Sequence, residues 1–210
     1  MISWAITVCN EDKELYTLLA DLVNNINPQD EIVIQADSLK VTKEVKDVIA
    51  DFSKSYPIKF IEFPLNMDFA SFKNNLKSSC KGDYIYQIDA DELVSTWMIS
   101  NLEELLSHNP TADLIWVPRV NIVDGITPQY IAENRWNLNS KGYINFPDYQ
   151  SRIIKNKPEI HWENKVHEVI KGHKVESKFP LDMEGFDLIH VKSFDKQVKQ
   201  NEFYSQINQK

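Results

Sequence analysis

Apolar positions along the chain change period repeatedly, and that alternation predicts most of the elements. Residues 3–8 are mostly apolar and β-prone, and Cys9-Asn10-Glu11-Asp12 follows as a polar turn with Asp12 as a helix N-cap candidate. Behind it, Leu15, Leu18, Leu19, Leu22, Val23 and Ile26 fall on one helical face, and Asn27-Pro28 stops the helix. The pair of patterns then repeats. Residues 31–35 read as a strand, Val41, Val45, Val48, Ile49 and Phe52 as a helix face, and 58–63 as a third strand between Pro57 and Pro64. Phe69, Phe72 and Leu76 mark a shorter helix whose other side carries Lys73, Asn74 and Asn75, and 84–88 is a fourth strand.

Beyond it, Ile99, Leu102, Leu105 and Leu106 predict a helix ending near Asn109-Pro110, and 114–120 a fifth strand. Residues 121–147 lose periodicity and are rich in polar and aromatic side chains, Tyr130, Arg135, Trp136, Tyr143 and Phe146 among them; a loop of that length is more often functional than idle. Residues 152–155 and 160–170 read as strands or a strand and a short helix, 186–191 as a last strand, and 196–209 as a terminal helix. Strict β–α alternation over the first ninety residues predicts an α/β fold. Its central sheet is doubly wound and mostly parallel, with helices on both faces and a ligand crevice at the strands' carboxyl ends.

Where the fourth strand should stop, the chain reads Asp89-Ala90-Asp91-Glu92, three carboxylates within four residues. In an extended backbone residues two apart share a side, so Asp89 and Asp91 are expected to face one ligand while the small Ala90 allows its approach. Two such carboxylates suit a hard divalent cation, Mn²⁺ or Mg²⁺, that also holds phosphate oxygens and waters. A solvated acidic turn is the bland alternative, and Asp-x-Asp alone is a weak signal. An EF-hand is excluded, because Leu93 and Val94 stand where an oxygen ligand and the turn glycine are needed.

Composition narrows the rest. A net charge of −8 over 210 residues, without a dense Lys/Arg run, lacks the footprint of a nucleic-acid or anionic-membrane binder. No apolar run has the length of a transmembrane segment and no signal-peptide pattern opens the chain, which reads as cytoplasmic. Cys9 and Cys80 stand far apart and outside metal-ligand spacing, so reduced, packed thiols are expected.

The motifs, taken together, resemble family 2 glycosyltransferases of the GT-A fold, in particular a soluble bacterial branch. They stand here as Asp68-Phe69-Ala70-Ser71-Phe72-Lys73-Asn74, Gly82-Asp83 and Asp89-Ala90-Asp91-Glu92. Arg152-Ile153-Ile154-Lys155, then Trp162 and Val166-His167-Glu168, are similar to a second signature, and Ile189-His190 to a C-terminal histidine segment. The likeness runs from residue 2 to about residue 204 and is weakest over 121–147. It implies one domain over 1–210, with a nucleotide-binding half (1–92) and an acceptor-side half with the terminal helix (93–210).

The resemblance also implies the chemistry: metal-dependent, inverting transfer of a sugar from a nucleotide-diphosphate sugar, a UDP-sugar first, to a hydroxyl acceptor such as a saccharide. Asp89 would lie near the ribose and metal, Asp91 would ligate the cation, and His190 would be a third ligand, at even odds with an ordinary polar histidine. Thr7, Cys9, Glu11, Gln35, Lys73, Asn74, Ala90, Glu92 and Arg152 would line the donor side. For Glu92 a helix cap, for Lys73 simple solvation and for Arg152 a salt bridge to an acid remain open. Glu168 is the first choice of general base with Asp148 in reserve, and Trp162 and His167 would contact sugar or acceptor, although an aromatic such as Trp162 or Trp136 is most often core. Gln35 stands where the family has a base-reading Asp, and Lys73 where an Arg is common, a point charge in place of a bidentate fork.

Two other classes compete. A sugar-1-phosphate nucleotidyltransferase would want a glycine-rich basic loop after the first strand, and residues 8–13 contain no glycine. A catalytically silent nucleotide-sugar or glycan-binding domain of the same fold is compatible with residue choice. A zinc-protease reading of His167-Glu168 is excluded, because Lys171 stands where a second histidine is required.

Overall fold

A computed structural model describes residues 1–181 and 185–207, the last six by backbone alone. Its first half follows the expected alternation: β1 (Ile2–Val8), α1 (Asp12–Asn25), β2 (Glu31–Asp37), α2 (Lys43–Phe52), β3 (Ile58–Phe63), α3 (Phe69–Ser78) and β4 (Tyr84–Asp89). A short β5 (Glu92–Val94), α4 (Thr96–His108), β6 (Leu114–Asp124), α5 (Pro128–Glu133) and β7 (Ile144–Lys155) continue it. The chain then forms β8 (His161–Glu163), β9 (Val169–Lys171), β10 (Glu176–Lys178), β11 (Leu188–Ser193) and α6 (Phe194–Ile207).

The main sheet runs β3-β2-β1-β4-β7-β6-β11-β5, with β10 beside β6. β1, β2, β3 and β4 are mutually parallel, as are β6, β10 and β11, while β7 lies antiparallel between β4 and β6, and β5 antiparallel to β11. Period-2 alternation sends Trp4, Ile6, Tyr86 and Ile88 to one face and Ala5 and Ile85 to the other. The first face is covered by the buried leucines of α1 and by α2 and α4; Trp4 and Tyr86, paired in register, stack at 5.3 Å between ring centroids. The second is covered by α3 and the β8–β9 hairpin. Each fully buried Leu or Ile contributes about 2 kcal/mol, so both coats bind firmly. Gly82 lets β4 start against β1: a Cβ there would lie 2.6 Å from the Ser3 backbone nitrogen.

Several expectations are corrected. Residues 121–147 are not a structureless loop: β6 extends to Asp124, α5 follows behind a Thr127 cap and Pro128, and β7 begins at Ile144. Periodicity hid this because the β6–β7 extension projects beyond the core and is half exposed on both faces, so it shows no clean alternation. The N-cap of α1 is Glu11 and makes no capping bond; Asp12 is the first helical residue. The last helix starts two residues early, at Phe194, and positions 208–209 of its expected span lie outside the described residues.

Candidate active site

The carboxyl ends of β1, β2 and β4 lie side by side, and the chain leaves β4 through a turn at Ala90 and Asp91 into β5. Because β5 pairs with β11 in the register Glu92–His190, that turn is carried across the sheet to the histidine. His190 Nε2 lies 3.3 Å from Asp91 Oδ2, and its Nδ1 3.0 Å from Asn121 Oδ1 on the neighbouring β6. Lys196, in the first turn of α6, also reaches Asp91 Oδ2 at 3.3 Å and Glu14 Oε1 at 3.4 Å. Burial works to raise the Asp91 carboxyl, but His190 and Lys196 outweigh it and hold the group down at about 2.

Asp89 is engaged by other side chains. Its Oδ1 accepts from Thr7 Oγ1 (2.6 Å) and Gln87 Nε2 (3.0 Å), and its Oδ2 from Arg152 Nη2 (2.7 Å). Burial again acts to raise this carboxyl, and the Arg152 and Lys73 charges hold it well below the usual range. Arg152 donates also to Glu92 Oε1 at 2.5 Å and to the Gln87 side-chain oxygen Oε1. Glu92 in turn accepts from Arg119 at 2.9 Å, and Arg119 forks onto Asp148 Oδ2 through Nε (3.0 Å) and Nη2 (2.7 Å). The result is an alternating chain, Asp89–Arg152–Glu92–Arg119–Asp148, running beneath the crevice floor. Glu92 is fully buried and Arg152 nearly so, which is tolerable only because each charge meets opposite ones.

This geometry sorts the sequence-derived candidates. Asp91 and His190 are together, but Asp89 has both oxygens engaged elsewhere, so the expected three-ligand set is not assembled. Among the described residues no group of three or more His, Cys, Asp or Glu side chains is arranged to hold a metal ion. Asp91 and His190 alone do fit a cation that takes its remaining ligands from phosphates and water. Glu92 and Arg152 are internal struts, since burial forbids either to stand unpaired.

The donor-side candidates from α3 and β2 turn out to hold the fold. Gln35 has no exposed surface; its amide donates to the Phe72 carbonyl (2.6 Å) and accepts from Asn75 (2.7 Å). Asn74 clasps the Trp162 backbone with both ends of its amide, at 2.8 and 2.9 Å, and the Trp162 ring lies in the second core. Thr7 orients Asp89. Glu11 accepts from the backbone of Cys9 (2.8 Å) and Asn10 (3.0 Å), shaping the loop after β1, while Ala90 is buried at the turn. Burial pushes the half-exposed Cys9 thiol up to about 11, so it stays protonated.

Lys73, nearly buried, meets Glu168 Oε1 at 2.5 Å. His167 beside it adopts φ 52°, a left-handed conformation uncommon for a non-glycine residue. Asp148 accepts from Arg119, Asn121 and Gln150, and these partners hold its carboxyl low despite burial.

Three cations were not singled out from the sequence: Arg119, which bridges Glu92 and Asp148, and Lys192 and Lys196 beside Asp91. Lys192 is nearly buried, donates to Gln200 Oε1 at 2.6 Å, and desolvation brings its ammonium down to about 8. Its alternation with His190 on β11 was the available signal, since residues 190 and 192 share a strand face. An open cavity of about 190 Å³ lies beside Asp91, between Lys13, Glu14 and Thr17 of α1 and Leu93, Ile189 and Val191. Another, of about 210 Å³, sits at the opposite, amino end of the strands by Met1 and Asp83, away from all these groups.

The model described as "Glycosyl transferase family 2" matches residues 3–196. No curated protein sequence matches the chain. Among solved structures, S. aureus TarS 1–349 in complex with UDP-GlcNAc superposes with TM-score 0.66 at 12% identity, over 91% of this chain and 58% of that one. The same protein in complex with UDP gives TM-score 0.65 at 12% identity, over 90% and 60%. The chain thus spans about 60% of the length of these two solved chains. These likenesses show the shared fold, a mixed α/β GT-A architecture.

Proposed function

The chain belongs to glycosyl transferase family 2 and is a glycosyltransferase; from that premise we propose that it moves a sugar from a nucleotide-diphosphate sugar, a UDP-sugar first, to a hydroxyl acceptor, a saccharide by preference, with inversion and with a divalent cation. The observation that carries the reading is the Asp91–His190 pair at the strands' carboxyl ends, ringed by Lys192 and Lys196. The choice of UDP is supported by the solved neighbour that holds UDP-GlcNAc. Residues 1–92 supply most of the donor crevice and 93–210 the acceptor side.

Asp91 and His190 would hold Mn²⁺ or Mg²⁺, whose chemistry there is to neutralise charge on the departing diphosphate without proton transfer. Lys192 places a further positive charge where the leaving group gains negative charge. Asp89, clamped by Thr7 and Arg152, offers an oriented carboxylate to the ribose. Glu168 takes the proton of the acceptor hydroxyl as its oxygen attacks the anomeric carbon and the bond to the diphosphate breaks. Lys73, 2.5 Å from one of its oxygens, fixes where that carboxylate stands. Asp148 is the weaker base because its lone pairs are taken by three donors.

A thermal-shift series with UDP and GDP, each with and without Mn²⁺, followed by nucleotide-release assays, tests the reading. The expected result is a UDP shift that grows with Mn²⁺, and its complete loss, together with turnover, in Asp91→Ala. Full turnover in that variant refutes the metal role. A nucleotide shift with no transfer or hydrolysis for any donor would point to a binding domain.

A further inference from the structure

Asp91 Oδ2 is contested by two groups at the same distance, 3.3 Å: His190 Nε2 from β11 and Lys196 Nζ from α6. A strong charge-assisted bond is about 2.7–2.9 Å long, so the lysine is close to Asp91 without being locked to it. The same ammonium stands 3.4 Å from Glu14 Oε1, on the other side of the cavity. It is therefore suspended between two carboxylates, one of which is the proposed cation ligand, and a change of side-chain rotamer moves it from one to the other.

Its helix is held still while it does so. The Phe194 ring, at the start of α6, packs edge-on against Tyr130 of α5 with centroids 4.9 Å apart. Two turns further on, Asn201 donates to the Tyr130 hydroxyl (2.7 Å), and Lys192 holds Gln200 (2.6 Å). With the backbone pinned from two sides, the long lysine side chain is the mobile part; it is about one-third exposed, whereas His190 is nearly buried.

We infer that Lys196 is a tethered cation that occupies Asp91 when no donor is bound and competes there with the divalent ion, with Glu14 as its alternative partner. This rests on the proposed metal role of Asp91 and adds a positioning residue to it. Two positive charges cannot share one carboxylate oxygen without strong repulsion, so the metal displaces the ammonium towards Glu14. The incoming diphosphate tips the balance, because it adds negative ligands for the metal that the lysine alone cannot satisfy as well; the equilibrium moves by that difference in affinity. Cation loading is thereby coupled to donor loading.

Free Mn²⁺ counted by electron paramagnetic resonance during titration of the intact chain, with and without UDP, tests this without reference to turnover. In Lys196→Met the Mn²⁺ concentration at half-saturation without UDP is expected to fall about fivefold, the effect of one partly exposed ion pair. Lys13→Met removes an equal charge from the same cavity without contacting Asp91 and is expected to change it less than about twofold. Glu14→Gln is expected to weaken Mn²⁺ binding in the parent chain and to lose most of that effect in the Lys196→Met background, because the two substitutions act on one ion pair. Lys196→Gln provides the same readout if the methionine variant does not fold. An unchanged or higher half-saturation point in the Lys196 variants, with the parent binding Mn²⁺ normally, overturns the inference alone. No Mn²⁺ binding by any of the chains, with or without UDP, removes the metal reading of Asp91 and the inference together.

Discussion

Arg152 shows how little of a residue's role is visible in its identity. Its guanidinium is nearly buried and touches Asp89, Glu92 and Gln87, so it trades a contact with substrate for control of the catalytic floor. Replacing it with methionine takes the guanidinium from Asp89 and leaves the fully buried Glu92 to Arg119 alone, and breaking a buried pair in this way costs about 3–5 kcal/mol. The expected outcome for Arg152→Met is a denaturation midpoint lowered by that amount, read by urea unfolding, with nucleotide binding lost even where the variant still folds. Glu168 is partly exposed, and its neutral isostere still offers an oxygen to the nearly buried Lys73. Glu168→Gln is expected to lower kcat by about 10²–10⁴-fold while leaving UDP binding intact; an equal loss of donor affinity would show that the residue binds donor instead.

At the scale of elements, the β8–β9 hairpin brings Trp162, His167 and Glu168 to α3, and one glycine sets its position. Gly172 follows β9 at φ +83°, and a Cβ there would fall 1.8 Å from the Glu159 carbonyl oxygen. That overlap is with backbone, so no rotamer relieves it. Gly172→Ala is expected to cost more than the roughly 1 kcal/mol of an ordinary left-handed penalty, and to loosen the Lys73–Glu168 contact, so that thermal stability and kcat fall together. The hairpin itself was legible only as short apolar runs at 160–170, because His161–Glu163 and Val169–Lys171 are three residues each, too short for alternation to register. α1 was legible at once, since four leucines at helical spacing all entered the core. The 121–147 segment was not, because its pairing comes from the partner strand and not from its own periodicity.

Across the whole molecule, the charge network predicts sensitivity to acid. Asp91 and Asp113 are held at about 2; for Asp113 the Lys157 hydrogen bond is the chief cause, with backbone donors from Lys174 and Val175. Asp89 and Asp148 are also held below the ordinary value. Carboxyls depressed in the folded state contribute stability above the unfolded value near 4, and that contribution drains away as pH falls towards 2, because the unfolded chain then binds more protons. Asp30 and Asp187 oppose this, as burial raises both. With Glu176, lowered by its Trp116 and His173 hydrogen bonds, five depressed groups outnumber them, so the melting temperature is expected to drop steeply between about pH 4 and pH 2. Asp113→Asn is expected to flatten that slope and to cost about 2 kcal/mol at neutral pH. A melting temperature constant across the range would mean that the network adds no net stability.

The amino-acid order alone determined the β–α alternation, the leucine face of α1 and the placing of Asp89 and Asp91 where β4 ends, because strand and helix periods and turn chemistry are local properties that neighbouring residues decide. Which acid meets which base was decided only in three dimensions. Arg152 reaches Asp89 across 63 positions and His190 reaches Asp91 across 99, because β7 inserts antiparallel beside β4 and β11 carries β5 at the sheet's edge. Strand order follows from how whole faces are buried, and with it the division between Asp89, whose oxygens are taken by Thr7, Gln87 and Arg152, and Asp91, which meets only the longer contacts of His190 and Lys196.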